Sequence, residues 1–218
     1  MQKESLTSQL AAYKAGFISR VPAERVAMME AATAQLKETG IESSAKKVGD
    51  TAPDIHLPDA RGSLVQVSEL LQSGPVVVVF YRGGWCPYCN LELRAWQAHL
   101  AELNQMGASL VAISPQTPDN SLSTLEKNEL AFHVLSDSDL KTSTSFGIAF
   151  ELPPELVALY GSVGNNLPEI NGNGKWVLPV PATFVIDQKG MIRYAHVEAD
   201  YRERSEPAQV LELVKPIA

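Results

Sequence analysis

Tyr81–Asn90 reads Y-R-G-G-W-C-P-Y-C-N, and its place in the chain decides how the rest is read. Val76 to Phe80, just before it, is an unbroken run of apolar β-formers, and Leu91 to Met106, just after it, is periodic like a helix. A strand therefore turns into a helix across Cys86 and Cys89, the only two cysteines of the chain. A helix N-terminus offers unpaired N–H groups and the positive end of the macrodipole. Both favour thiolate over thiol, so a cysteine there is reactive near neutral pH. The second cysteine lies one turn further on, within disulfide reach. Pro87 suits the first helical position, where its missing N–H is no loss.

C-x-x-C at such a junction reads as a dithiol redox site, with half a zinc site and a pair of inert structural thiols as the alternatives. A structural zinc wants four ligands. His56, His99, His133 and His196 are scattered without paired spacing. His99 lies ten residues past Cys89, roughly 15 Å along a helix at about 1.5 Å per residue. The redox reading is therefore preferred, with no metal and no bound cofactor.

The bulk properties set the frame. A chain of 218 residues with 45 % hydrophobic content is long and apolar enough for one packed domain plus an extension. A formal charge of −7 gives no encouragement to nucleic acid or anionic membrane binding. No apolar run approaches a transmembrane helix, and Met1 to Gln9 is polar, without a signal-peptide core. The economical expectation is a soluble cytoplasmic protein.

Upstream, Leu6, Leu10, Tyr13, Phe17 and Val21 recur at helical spacing, and Pro22 opens a second pattern through Val26, Met29 and Leu36 that Gly40 stops. Two amphipathic helices and a polar linker, together residues 1–45, are expected to precede a compact domain at 46–218. The helices' apolar faces must be covered, by that domain or by a second subunit in a homodimer. Strands are expected at Ala52–Leu57, Leu64–Val67, Val76–Tyr81, Leu110–Ser114 and Phe132–Leu135. Helices are expected from Ser68, at Pro118–Glu129, Asp139–Gly147 and Pro153–Tyr160, then a Gly- and Asn-rich loop at Gly161–Gly174. A hairpin, Thr183–Asp187 with Met191–Val197, and a helix from Glu206 close the chain. The fold class is α/β, a mixed sheet flanked by helices.

Val77 to Asn90 resembles the active-site segment of the thioredoxin-like superfamily: Trp85, Cys86 and Cys89 match its W-C-x-x-C, and C-P-Y-C is also the dithiol glutaredoxin tetrapeptide. Ile113-Ser114-Pro115, Leu135-Ser136-Asp137, Phe146-Gly147 and Ala182–Asp187 resemble, in the same order, the AhpC/TSA (peroxiredoxin) branch. The resemblance implies a thioredoxin-like fold for residues 46–218. The P-x-x-x-T-x-x-C pattern of peroxiredoxins falls with its proline at Arg82, its threonine at Cys86 and its cysteine at Cys89. The family's peroxide-orienting arginine falls at Pro181. There Val180-Pro181-Ala182-Thr183 instead resembles the cis-proline segment of thioredoxins, which implies that Pro181 and Thr183 face the dithiol.

Cys86 and Cys89 are read as one thiolate nucleophile and one resolving partner. The helix-end argument selects Cys86 as the attacker, and the peroxiredoxin comparison selects Cys89. Arg82 is read as a residue that lowers a thiolate pKa or orients peroxide oxygen, with a solvated loop arginine as the alternative. Trp85 shields the site or fills the core. Glu92 reads as a solvated helix position before a proton relay, and Arg193 as a surface charge. Phe150–Trp176 is either a substrate-shaping cover or an exposed insertion. The expected function is peroxidase reduction of hydrogen peroxide or alkyl hydroperoxides through a dithiol/disulfide cycle, recharged by thioredoxin, glutaredoxin or glutathione. Protein disulfide reductase is the runner-up, and a redox-switched binding module is the non-enzymatic rival.

Overall fold

A computed structural model describes residues 4–217. Its centre is a five-stranded sheet in the order β5-β4-β3-β8-β9. β3 (Val76–Phe80), β4 (Ser109–Ser114) and β5 (His133–Ser136) run parallel, and β8 (Ala182–Ile186) and β9 (Ile192–Val197) complete it antiparallel. β3 is buried at every residue because both faces of the sheet are covered. Alternation sorts its side chains into two cores. Val77 and Val79 face one side, with Leu93, Trp96, Leu100 and Leu103 of α5 (Pro87–Gln105). Val76, Val78 and Phe80 face the other, with Phe146, Phe184 and Ile55.

α1 (Leu6–Ile18) and α2 (Ala23–Glu38) form where the periodicity placed them, split at Pro22. The apolar stripe of α1 is covered by the same chain: Leu6 and Leu10 join the α5 core, beside α10 (Pro207–Val214). The segment expected to be a polar linker is held to the body. Gly40, at φ 74, ends α2, and a short α3 (Ile41–Ser44) buries Ile41 and Ala45 in the second core. Lys46 N–H then donates to Phe146 O at 2.9 Å, and Gly49 N–H to Ile192 O at 2.9 Å.

The expected strand at Ala52–Leu57 is shorter than read. β1 covers only His56–Pro58, pairing with β2 (Leu64–Gln66), because Pro53 has no N–H to give a ladder. α4 (Val67–Leu70), α6 (Pro118–Lys127) and α7 (Lys141–Ser145) lie at or within a few residues of their expected positions. Two three-residue strands, β6 (Ala149–Glu151) and β7 (Val177–Pro179), were too short to leave a period and bracket the insertion. Inside it, α8 (Pro154–Ser162) is followed by α9 (Leu167–Ile170), one turn within the stretch read as loop.

Candidate active site

The turn from β3 to α5 puts Cys86 at the N-cap of α5 and Pro87 at its first position. Two glycines make the turn possible. Gly83 has φ 147, and a Cβ there would lie 2.4 Å from Trp85 Nε1. A Cβ on Gly84 would lie 2.2 Å from Thr124 Oγ1. Amide side chains secure the loop: Gly84 N–H donates to Gln116 Oε1 at 2.7 Å, and Asn90 Nδ2 donates to Gly84 O at 2.8 Å. Asn128, on the far side, donates to Asn90 Oδ1 at 2.8 Å.

Both sulfurs are buried, Cys86 being 2 % and Cys89 0 % exposed, and both are free thiols. They do not share their surroundings equally. The Cys86 thiol is held down to about 6, below its ordinary 9.0. The hydrogen bond that Cys89 donates to it is the main cause, opposed by burial and helped by the charges of Arg82 and Arg204. Burial, then the sulfur of Cys86, push the Cys89 thiol well above its ordinary value. The surroundings thus favour the charged form at Cys86 and the protonated form at Cys89.

Two guanidinium groups flank the pair. Arg82 is 4 % exposed and lies over the rings of Trp85, Tyr160 and Tyr201, 5.0, 5.5 and 4.4 Å from their centroids. It donates to Tyr160 Oη, and its Nε has no partner. Arg204, on the segment after β9, places Nη2 3.6 Å from Cys89 Sγ and donates from Nε to Glu92 Oε2 at 2.6 Å. Glu92 is therefore no solvated helix position. It lies three residues after Cys89 on the same inward face of α5 and is 0 % exposed. Burial raises its carboxyl from 4.5 to about 7, with Arg204 pulling the other way.

The AhpC/TSA family profile matches residues 48–195, more than half of the chain. The chain belongs to the AhpC/TSA family. Among its relatives, chloroplastic peroxiredoxin Q of Triticum aestivum is 25 % identical over 177 residues, covering 81 % of this chain and 71 % of that protein. Peroxiredoxin Bcp of Escherichia coli is 32 % identical over 102 residues, 47 % of this chain and 65 % of that one. The solved structure of peroxidoxin BcpB from Mycobacterium tuberculosis superposes with a TM-score of 0.63 at 25 % identity, covering 79 % of this chain and 98 % of its own.

Membership of the AhpC/TSA family sharpens the departures. The arginine expected at the position of Pro181 is absent, and Arg82 and Arg204 bring guanidinium groups from two other segments. The expectation of a cis peptide at Pro181 is not met: among the described residues there is no cis bond. Val180 N–H is tied to Ile148 O at 2.8 Å, and the intrinsically favoured trans form carries the chain from β7 into β8. Pro181 lines a cavity with Arg82, Tyr160 and Tyr201, adjoining the cavity that Cys86 lines. Thr183 is buried within β8, paired with Val79 and His196. Trp85 stacks edge-on against Tyr160 at 5.4 Å and forms part of the wall beside Cys86. Arg193 is a surface charge, pairing with Asp187 at 2.6 Å. Among the described residues no group of three His, Cys, Asp or Glu side chains is placed to hold a metal ion. No helix among them is long and apolar enough to cross a membrane.

Arg204, Tyr160, Tyr201, Asn90 and Gln116 were not legible in the sequence as site residues. Arg204 lies 115 residues beyond Cys89 in a charged run, Tyr201 to Glu206, with nothing local to mark it.

Proposed function

We propose that this chain is a thiol-dependent peroxidase whose cycle runs through Cys86 and Cys89. The Cys86 thiolate attacks the terminal peroxide oxygen of ROOH. The O–O bond breaks, ROH leaves after taking a proton, and Cys86 becomes a sulfenic acid. Cys89 then loses its proton and attacks the Cys86 sulfur, water leaves, and the Cys86–Cys89 disulfide forms. Two equivalents of an external thiol return both residues to the reduced state.

The observation that carries this reading is the asymmetry of the two buried sulfurs. Cys86, at the open end of α5, is the one held as thiolate, and Cys89 supplies its hydrogen bond. Arg82 lies over the same pocket and stabilises negative charge there. Arg82, Trp85 and Pro87 thus act around the attacker, Pro181 lines the adjoining cavity, and Thr183 supports the sheet from within β8. Cytoplasm, a reducing compartment, fits two free thiols.

The test is turnover with hydrogen peroxide, an organic hydroperoxide and a protein disulfide, each with several thiol donors. Consumption of the peroxides, lost in Cys86→Ser, is expected. Reduction of the protein disulfide alone would move the chain to the disulfide reductase reading.

A further inference from the structure

The helices before residue 46 wall the cavity that Cys86 lines. Cys86 lines a cavity of about 220 Å³ whose walls include Tyr13 and Phe17 of α1, Met29 of α2 and Leu159 of α8. Arg82 lines it beside Cys86. The AhpC/TSA profile begins at residue 48, so α1 and α2 lie outside what the family shares.

This roof is fastened to the body at several points. Leu6 and Leu10 are buried, and the N–H groups of Leu6 and Thr7 each donate to the Glu206 carboxylate at 3.1 Å. Tyr13 meets Tyr88 edge-on at 5.0 Å, one residue from Pro87. On α2, Ala32 is buried, and Lys37 pairs with Glu198 at 2.5 Å and Glu30 with Arg202 at 3.4 Å.

Oxidation changes the charge balance beneath it. In the reduced protein the Cys86 thiolate faces Arg82. The disulfide carries no charge, and among the described residues no carboxylate pairs with Arg82. The buried guanidinium then favours an incoming anion. The species that attacks a disulfide is a thiolate.

On the dithiol cycle proposed above, we infer that the oxidised protein is reduced by a low-molecular-weight thiol that enters beneath α1 and α2, and that a folded dithiol protein does not reach Cys86. The cavity lies at or below the lower end of small-ligand pockets, roughly 300–1,000 Å³. It takes a small organic thiol or the thiol arm of one. The thiolate RS⁻ attacks Cys86 Sγ, the Cys86–Cys89 bond breaks, and Cys89 leaves with the electron pair and takes a proton. A second RS⁻ attacks the R-group sulfur of the mixed disulfide, releasing RSSR and the Cys86 thiolate. Two RSH are oxidised to RSSR while one protein disulfide becomes a dithiol.

The test uses the full chain, oxidised with diamide to its intramolecular disulfide. Re-reduction is followed by counting thiols with 2-mercaptoethanol, with glutathione, or with a thioredoxin kept reduced by its reductase, at equal thiol concentration. Because no peroxide enters, the result stands whatever the peroxidase assay gives. The rate with thioredoxin should not exceed that with 2-mercaptoethanol, and the smaller thiol should outpace glutathione. Met29→Trp, at a half-buried wall position, should slow 2-mercaptoethanol by about tenfold without changing the melting temperature. Faster reduction by thioredoxin overturns the inference. So do rates independent of thiol size, and an unchanged rate in a folded Met29→Trp variant. If that variant does not fold, the size series on the unaltered chain decides. Failure of diamide to produce the disulfide overturns the dithiol cycle and this inference with it.

Discussion

Arg204 Nη2 lies 3.6 Å from the sulfur of Cys89, while Nε of the same guanidinium donates to Glu92 Oε2 at 2.6 Å. The side chains of this ion pair are 2 % and 0 % exposed. Removing one partner of such a pair leaves a buried charge, at a cost of about 3–5 kcal/mol. Arg204→Met should therefore be strongly destabilised, more so at pH 8 than at pH 5, where Glu92 escapes by taking up a proton. Arg204→Met with Glu92→Gln should recover most of the loss. Urea unfolding of the four proteins at both pH values measures this, and equal losses at the two pH values would contradict it.

The same carboxyl makes a pH prediction for the unaltered chain. Its folded value, about 7, is above its ordinary 4.5. The stability it contributes is therefore fully present below pH 4.5 and is lost as pH rises through 7. The groups that face it are Arg204 and the Cys89 sulfur. Glu92→Gln should flatten this part of the stability profile. An unchanged profile in that variant would assign the slope to other groups.

Thiol reactivity should separate the two cysteines. Iodoacetamide should modify Cys86 with a midpoint near pH 6, since thiolate is the reacting form. The main cause of that low value is the hydrogen bond from Cys89. Cys89→Ala removes it and should move the midpoint upward, while Cys89→Ser, which can still donate, should move it less. Arg82, Arg204, the Cys89 sulfur and the Cys89 backbone N–H each bring charge or a hydrogen bond to Cys86. In Cys86→Ser, Cys89 should react slowly, faced by Arg204 and Arg82, with Glu92 one turn on. A fast thiol at position 89 would instead make it the attacker, as the peroxiredoxin alignment has it.

Gly84→Ala tests the close approach of the loop to α6. Its new Cβ would sit 2.2 Å from Thr124 Oγ1 and 3.1 Å from Thr124 Cβ. Overpacking of this kind costs typically about 1–3 kcal/mol. Because Gly84 N–H also holds Gln116, the loop carrying Cys86 should shift and alkylation of Cys86 should slow. Adding Thr124→Ala should restore part of both, read by thermal melting and alkylation rate. No recovery in the double variant would place the strain elsewhere.

The central sheet, α5 and the dithiol were readable because each rests on local pattern. An apolar run reports a strand buried on both faces, and C-x-x-C before a periodic segment reports a helix start. Glu92 is not legible in the sequence as a buried group, because a charged residue on a helix reads as solvated until its partner is known. That partner, Arg204, comes from the other end of the chain. Ile41 was lost in a polar context, yet it anchors α3 in the core. Pro181 shows the opposite failure, since a tetrapeptide match carried over a backbone isomer that this chain does not adopt.

Leu10 is 6 % exposed and sits in the same cluster as Leu93, Leu211 and Val214 of α5 and α10. Burying a leucine in a shared core makes its truncation expensive, about 2–5 kcal/mol for Leu→Ala. Were α1 an independent extension, Leu10→Ala would weaken only that helix and leave the main melting transition in place. The packing instead couples α1 to the body, so residues 1–45 should unfold together with 46–218 in one transition, lowered by the substitution. Loosening α1 should also widen access beneath Tyr13 and Phe17, so Cys86 in Leu10→Ala should alkylate faster below the melting temperature. Ala11→Ser, an exposed substitution on the neighbouring position, serves as the control and should change neither reading. Two separate transitions would show that α1 does not belong to the core, and a lowered melting temperature with unchanged Cys86 alkylation would show that it does not govern entry to the thiol.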